Sequence, residues 1–138
     1  MTRTGSRRSV PDDFWHGRLN SARNFHEAAR SLLALAEPGQ DSNPVIVHVV
    51  NAAIAYADAV TARRSGLVNQ RDHSALGALL RDAVGNRLPP AQLAHLNDII
   101  GQKDAASYGA RAGTRAQAER LLDRLTEFAV WVEAELGR

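Results

Sequence analysis

The sequence predicts an all-α fold, an up-down antiparallel four-helix bundle with one extra short helix. Apolar residues recur at helical spacing in four long segments and one short segment. Glycine, proline and small polar residues fill the stretches between these segments, where they favour turns over helix. Long helices joined by short connections pack antiparallel to their neighbours, and together these observations predict the bundle.

The first helix follows a basic, polar segment that we expect to be a disordered tail. Ser9 is the candidate N-cap, and Pro11 suits the first turn because its missing N–H is not needed there. Apolar residues then recur at helical spacing up to the break "EPGQDSNP"; they include Phe14, Ala22, Phe25, Ala29, Leu32, Leu33 and Ala36. We therefore expect residues 1–9 to be the tail and residues 10–138 to form a single domain.

The second helix is the hardest element to distinguish from a strand. Its start, "VIVHVV", is rich in β-branched residues, which favour a strand by propensity. Asn43 and Pro44, however, suit the start of a helix, and the sequence continues with many alanines. Because the segment is apolar nearly all round, we predict one central, buried helix from about 44 to 65.

Three further helices complete the predicted bundle. "SALGALLRDAV" predicts the extra short helix, which follows a loop, "LVNQRDH". The fourth helix is predicted from about 90 to 108, with Leu96 on its inner face and Lys103, seven residues later, in nearly the same direction. Thr114 opens "TRAQ", a capping-box pattern, and the last helix follows it with apolar residues at helical spacing up to Leu136.

Composition and charge limit the classes of function. The chain has 138 residues, which suits one domain, and no cysteine, which excludes disulfides and thiolate metal sites. The basic N-terminus lacks the apolar segment of a secretory signal, and polar residues interrupt the most apolar stretch, residues 45–62. We therefore expect a cytoplasmic protein without a membrane segment. The net charge of +2 is too small to indicate nucleic-acid binding by itself.

Four segments, taken in order, carry a family resemblance. They are the alanine-rich "VNAAIAYADAV" of the second helix, "DHSALGALL" at the start of the short helix, "LNDIIGQKDAASYG" in the fourth helix and "TRAQAERLLDRLTEFAVWVEAEL" at the end. Over residues 14–136 the chain resembles the HEPN superfamily, small helical proteins that are usually dimeric and often bind or cleave RNA. The resemblance implies a helical bundle, a homodimer, and RNA or a protein from a neighbouring gene as partner.

The chain departs from the ribonuclease members of that superfamily. Those members carry an arginine, four to six intervening residues and a histidine near the fourth helix, and none of the five histidines here follows an arginine at that distance. The sequence instead resembles the branch that has a lysine and a tyrosine in the fourth helix, here Lys103 and Tyr108. The nuclease chemistry is not expected in that branch, so the resemblance implies a non-enzymatic interaction or regulatory module.

Lys103 is the only lysine of the chain and the first candidate site residue. On an apolar helix stripe its ammonium group needs a paired charge or access to water, and Asp58 is the candidate partner. A structural ion pair is one interpretation, and an ammonium that binds a phosphate or an acidic ligand in a cleft is the other. Tyr108 points about 140° away from Lys103 on an ideal helix and suits a position at the edge of the core. A ligand pocket that both long side chains line near the helix end is the other interpretation.

His48, Asn51 and Asp58 fall on one stripe of the second helix. They are candidates for a polar seam in the bundle, for a ligand site, or for a face toward water or a dimer partner. His73 is a candidate cap of the short helix or a further member of this cluster. No metal or cofactor site is predicted, because the chain has no Glu-x-x-His pair and its histidines lack metal-ligand spacing.

Arg63, Arg64 and Arg71 are candidate nucleic-acid contacts, since a guanidinium group suits phosphate recognition. The other interpretation is that these arginines are ordinary surface charges exposed to water. The predicted function is a non-enzymatic module that binds nucleic acid or a partner protein, with no catalytic residue assigned. Two alternatives stay open: a ribonuclease or nucleotide-handling enzyme with an atypical site, and a structural bundle that serves a partner from the same operon.

Overall fold

The computed structural model of the chain describes residues 7–109 and 111–138, and it confirms the all-α helical bundle. The helices are α1 (Phe14–Leu35), α2 (Asn43–Ser65), α3 (Leu76–Val84), α4 (Pro90–Ile100), α5 (Lys103–Tyr108) and α6 (Arg115–Leu136). Two strands of three residues each, β1 (Arg7–Ser9) and β2 (Leu67–Asn69), pair antiparallel. The extra short helix of the prediction is α3, and a 3₁₀ turn precedes it.

The central helix is α2, and "VIVHVV" belongs to it rather than to a strand. Asn43 begins the helix, and Gly66 ends it with a φ of 69°, a conformation that glycine adopts without strain. All residues from Ala52 to Ala62 are buried, because α1, α6 and α3 pack around them. Of the helices in the described residues, α2 alone is long and apolar enough to span a membrane, and 78% of its most apolar window lies inside the protein.

The segment before α1 is more ordered than the sequence predicts. Residues 1–6 of the expected tail lie outside the described residues, but residues 7–9 form β1, which pairs with β2. Ser9 therefore belongs to a strand and does not cap α1; Asp13 lies just before the helix, which begins at Phe14. The prediction of a tail over residues 7–9 is wrong, because the hydrogen-bond partners of β1 come from a segment far along the chain.

The predicted fourth helix is divided in two. A tight turn through Gly101 and Gln102 separates α4 from α5, which begins at Lys103. The backbone N–H of Gly101 donates to the carbonyl oxygen of Asn97, and the turn then closes more tightly than an α-helix. Because of this turn Lys103 does not continue the inner face of α4, and its side chain is half-buried.

The last helix, α6, begins with the predicted capping box. Thr114 accepts a hydrogen bond from the backbone N–H of Gln117, whose side chain accepts one from the Thr114 N–H. Near the other end Glu135 is only 3% exposed and accepts hydrogen bonds from Arg64 of α2 and from Arg87, which follows α3. The bond from Arg87 is the largest reason that the pKa of Glu135 lies below its usual value. This carboxylate joins α6 to α2 and to the turn after α3.

Candidate functional site

A polar cleft lies where the turn before α3 meets the start of α5. Its volume is about 280 Å³, and we call it the Lys103 cleft. It is lined by Arg71, Asp72, His73, Ser74, Ile100, Gly101, Lys103 and Asp104. Three residues singled out in the sequence, Arg71, His73 and Lys103, therefore come together here.

Asp72 shapes the α3 side of the Lys103 cleft. Its carboxylate accepts hydrogen bonds from the backbone N–H of Ser74 at 3.0 Å and from the Ser74 hydroxyl at 2.6 Å. These bonds hold the pKa of Asp72 below its usual value, so the carboxylate is ionised at neutral pH. The acceptor that caps the turn before α3 is thus Asp72 and not His73, which is the first residue of the 3₁₀ turn.

His73 is half-buried in the cleft. Burial is the main cause of its lowered pKa, and the nearby Lys103 ammonium lowers that pKa further. The imidazole is therefore mostly neutral at pH 7 and offers one N–H donor and one acceptor. Arg71 and Lys103 supply positive charge, and neither takes part in an ion pair within residues 7–109 and 111–138. The cleft thus presents two cations that make no direct contact with a carboxylate of the described residues, although Asp72 and Asp104 also line it.

Asp58 does not pair with Lys103, contrary to the prediction. Its Oδ2 atom lies 3.1 Å from Nη2 of Arg18, because α1 packs along α2 and places Arg18 beside it. Asp58 is 9% exposed, and this burial raises its pKa to about 6, although Arg18 acts in the opposite direction. The other carboxylate oxygen, Oδ1, is buried and has no hydrogen-bond partner among the described residues.

The remaining candidates lie in less specific surroundings. The half-buried ring of His48 lies with its centroid 6.0 Å from that of Phe25, and Asn51 is half-buried on the same helix. Tyr108 is 80% exposed at the end of α5, so its expected position at the edge of the core is wrong. None of these residues lines the Lys103 cleft, and neither does Asp58. The structure therefore does not gather all the predicted residues into one site.

The three candidate arginines have different surroundings. The Arg63 guanidinium lies over the ring of Trp15, 4.5 Å from its centroid. Arg64 donates from Nε to Glu135 at 2.8 Å, so its charge is already neutralised within the fold. Of the three candidate contacts, only Arg71 lines the cleft.

A second concave surface, the α1–α6 groove, was not predicted from the sequence. It has a volume of about 490 Å³ and lies between α1 and α6, with α2 at its floor. It is lined by Arg23, His26, Glu27, Arg30, Tyr56, Thr126, Ala129, Val130 and Glu133. Arg23 and Glu133 close one end with two hydrogen bonds of 2.7 and 2.6 Å.

Two buried polar side chains, His26 and Tyr56, form the floor of the α1–α6 groove. They are 3% and 2% exposed, and Nδ1 of His26 lies 2.9 Å from the Tyr56 hydroxyl. Burial, with help from the nearby Arg30 charge, lowers the pKa of His26 to about 4, and burial raises the pKa of Tyr56 to about 12. Both groups are therefore neutral over the physiological pH range.

One sequence signal was available for this groove. His26 falls at helical spacing between Ala22 and Ala29, so it occupies a core-facing position of α1 and needs a polar partner there. That partner, Tyr56, lies within the alanine-rich run of α2. The pairing itself depends on how α1 and α2 face each other, which spacing within either helix does not specify.

Comparisons with known proteins give the fold but no function. No protein-family model matches the chain, and no curated protein matches it. Among solved structures, the crystal structure of TT1696 from Thermus thermophilus is similar, with a TM-score of 0.72. The two sequences are 21% identical, and the match covers 91% of this chain and 99% of that chain. A likeness at this identity shows that the two chains share a fold.

Proposed function

We propose that the protein is a HEPN-like, non-enzymatic module that binds RNA through the Lys103 cleft and acts as a cytoplasmic homodimer. The observation that carries this proposal is the meeting of Arg71, His73 and Lys103 in one cleft of about 280 Å³. Arg71 and His73 precede α3, whereas Lys103 begins α5, so two separate segments supply the donors.

A phosphate group suits the donors of this cleft. Lys103 offers a compact ammonium, Arg71 offers a planar fork of N–H groups, and neutral His73 offers one more N–H. Asp72 lines the same cleft as an ionised carboxylate, and its Oδ1 atom accepts two hydrogen bonds from Ser74. Asp104 adds a negative charge at the exposed rim, so we expect modest affinity that falls as salt concentration rises.

The HEPN-like part of the proposal rests on the all-α bundle and on the four sequence segments. These segments lie on α2, on α3 with the turn before it, on α4 with α5, and on α6. The missing Arg-x4–6-His motif supports binding rather than cleavage of RNA. The homodimer follows from the same resemblance, and the expected cytoplasmic location belongs to the same proposal.

A ribonuclease with an atypical site is the second candidate function. One observation favours it: the neutral imidazole of His73 shares a cleft with the Lys103 ammonium. A neutral imidazole accepts a proton, and a cation stabilises the charge that develops on a phosphate during cleavage. The same cleft therefore suits either function, and one experiment separates them.

The test measures the binding of a fluorescent single-stranded RNA by anisotropy at low and at moderate salt. We expect wild-type binding that weakens with salt, and a loss of about tenfold in Lys103→Ala and in Arg71→Ala, each with a shallower salt dependence. Arg120→Ala is the matched control, because its guanidinium pairs with Asp98 outside the cleft. This variant should bind RNA as the wild type does.

Three outcomes decide between the alternatives. Equal RNA binding by the wild type and Lys103→Ala contradicts the proposal that the Lys103 cleft binds RNA. Binding of a partner protein or a structural role would then remain as the candidate functions. RNA cleavage that is lost in His73→Ala, with circular dichroism unchanged, supports the ribonuclease. A strict monomer in analytical ultracentrifugation at high protein concentration contradicts the homodimer.

A further inference from the structure

The α1–α6 groove contains polar groups that the proposed RNA-binding cleft does not use. Its floor is a chain of close polar contacts. The Thr126 hydroxyl donates to the Leu122 carbonyl oxygen at 2.9 Å, and the hydroxyl oxygen lies 3.2 Å from Nε2 of His26. Nδ1 of His26 lies 2.9 Å from the Tyr56 hydroxyl, so both ring nitrogens have a polar neighbour.

One guanidinium of the groove has only long contacts. Nη2 of Arg30 lies 3.3 Å from Nε2 of His26, and Nη1 donates to the exposed Glu27 on the same helix, also at 3.3 Å. Arg23, in contrast, is held at 2.6–2.7 Å by Glu133. Arg30 is therefore the cation of the groove that is available to a ligand.

We infer that the α1–α6 groove is a binding site for a small molecule with one carboxylate and an apolar body. The carboxylate accepts from the Arg30 guanidinium, whose contacts to His26 and Glu27 within the groove are both 3.3 Å long. One available cation suits one negative charge, and Glu27 and Glu133 at the rim disfavour a more highly charged anion. The ring of Tyr56 lies at the floor beside this position.

Apolar side chains define the place of the ligand body. Ala129 and Val130 of α6 form one wall, and Val130 is 68% exposed although it is apolar. The volume of about 490 Å³ lies within the range of known small-molecule sites. A planar or branched body of modest size therefore covers Val130 while its carboxylate reaches Arg30.

The experiment titrates the full chain with sodium benzoate and, separately, with neutral benzamide, by isothermal calorimetry. We expect saturable benzoate binding with a Kd of roughly 1 mM or tighter, and benzamide binding at least about tenfold weaker. Arg30→Gln and Val130→Asp should each weaken benzoate binding by about tenfold or more, the first by removing the cation and the second by placing a like charge beside the ligand. Both positions are exposed, so both variants are expected to fold.

Arg120→Gln is the control, since it removes the same charge from an arginine outside the groove. The inference is supported if benzoate binds the control as it binds the wild type and binds the two groove variants weakly. It is overturned if benzoate shows no saturable binding, if benzamide binds equally well, or if Arg30→Gln binds benzoate as the wild type does. RNA binding at the Lys103 cleft is measured separately, so the two proposals fail independently.

Discussion

Asp58 and Lys103 show how the surroundings of one residue determine its chemistry. Asp58 lies on the central helix, 9% exposed, with Arg18 as its partner at 3.1 Å. Lys103 is half-buried at the start of α5, in a cleft with Arg71 and His73. Asp58 therefore belongs to the packing of α1 on α2, whereas Lys103 makes no ion pair with any described residue.

The ionisation of Asp58 makes stability depend on pH. Burial raises the pKa of this carboxyl from 3.8 to about 6, so the folded state holds the proton more tightly than the unfolded state does. The stabilisation from the protonated carboxyl is present in full below pH 4 and is lost as the pH rises through about 6. For a shift of this size, the loss is on the order of 3 kcal/mol.

We therefore predict that Asp58→Asn removes this part of the pH dependence. Urea unfolding of the wild type and of Asp58→Asn at several pH values between 4 and 7 gives the difference in unfolding free energy. As the pH rises from 4 to 7, the wild type should lose roughly 1–3 kcal/mol of unfolding free energy relative to Asp58→Asn, because the amide of the variant does not ionise. Asp104→Asn provides the baseline for an exposed carboxylate. A pH-independent difference for Asp58→Asn would contradict the prediction.

Among the helices, α5 and α6 differ in how strongly the local sequence defines their starts. α5 begins after the Gly101 turn without a side-chain cap. α6 begins with a reciprocal cap between Thr114 and Gln117, which satisfies backbone N–H groups that have no partner within the helix. The start of α6 is accordingly predictable from four residues of sequence, and the start of α5 is not.

The cap of α6 gives a prediction for Thr114→Ala. Loss of the hydroxyl acceptor should lower the free energy of unfolding by about 1 kcal/mol, because the Gln117 N–H loses its partner. Thr114→Ser is the matched control, since it keeps the hydroxyl and should stay within about 0.5 kcal/mol of the wild type. Urea denaturation measures both variants. An equal loss in the serine and alanine variants would show that the methyl group, not the cap, is responsible.

For the whole molecule, Glu135 connects parts of the chain that are far apart in sequence. It is 3% exposed on α6 and binds Arg64 of α2 at 2.8 Å and Arg87, which follows α3, also at 2.8 Å. β1 makes a similar long-range connection, since it pairs with β2 and since Arg7 bonds to Asp82 of α3 at 3.0 Å. These contacts join elements that are far apart along the chain.

We predict that Glu135→Gln destabilises the fold by roughly 1–3 kcal/mol, because charge-assisted hydrogen bonds to two guanidinium groups are weakened. Glu119→Gln is the matched control on the same helix, since its pair with Arg115 is exposed on both sides. That variant should change stability by less than about 0.5 kcal/mol. Urea unfolding of the two variants tests the difference, and equal effects would mean that the buried position of Glu135 gives no added stability.

The sequence by itself determined the all-α class, the central helix α2 and the cap of α6. Helix formation depends on spacing, caps and breakers within about ten to twenty residues, all of which a single chain displays. The sequence also indicated Lys103, His73 and Arg71 as candidate site residues, but as separate candidates.

Only the tertiary structure decided which of these candidates meet. Asp58 pairs with Arg18, His26 pairs with Tyr56, and residues 7–9 form a strand, because in each case the partner lies on another element. Such pairings depend on the relative position of elements, and periodicity within one element carries no information about it.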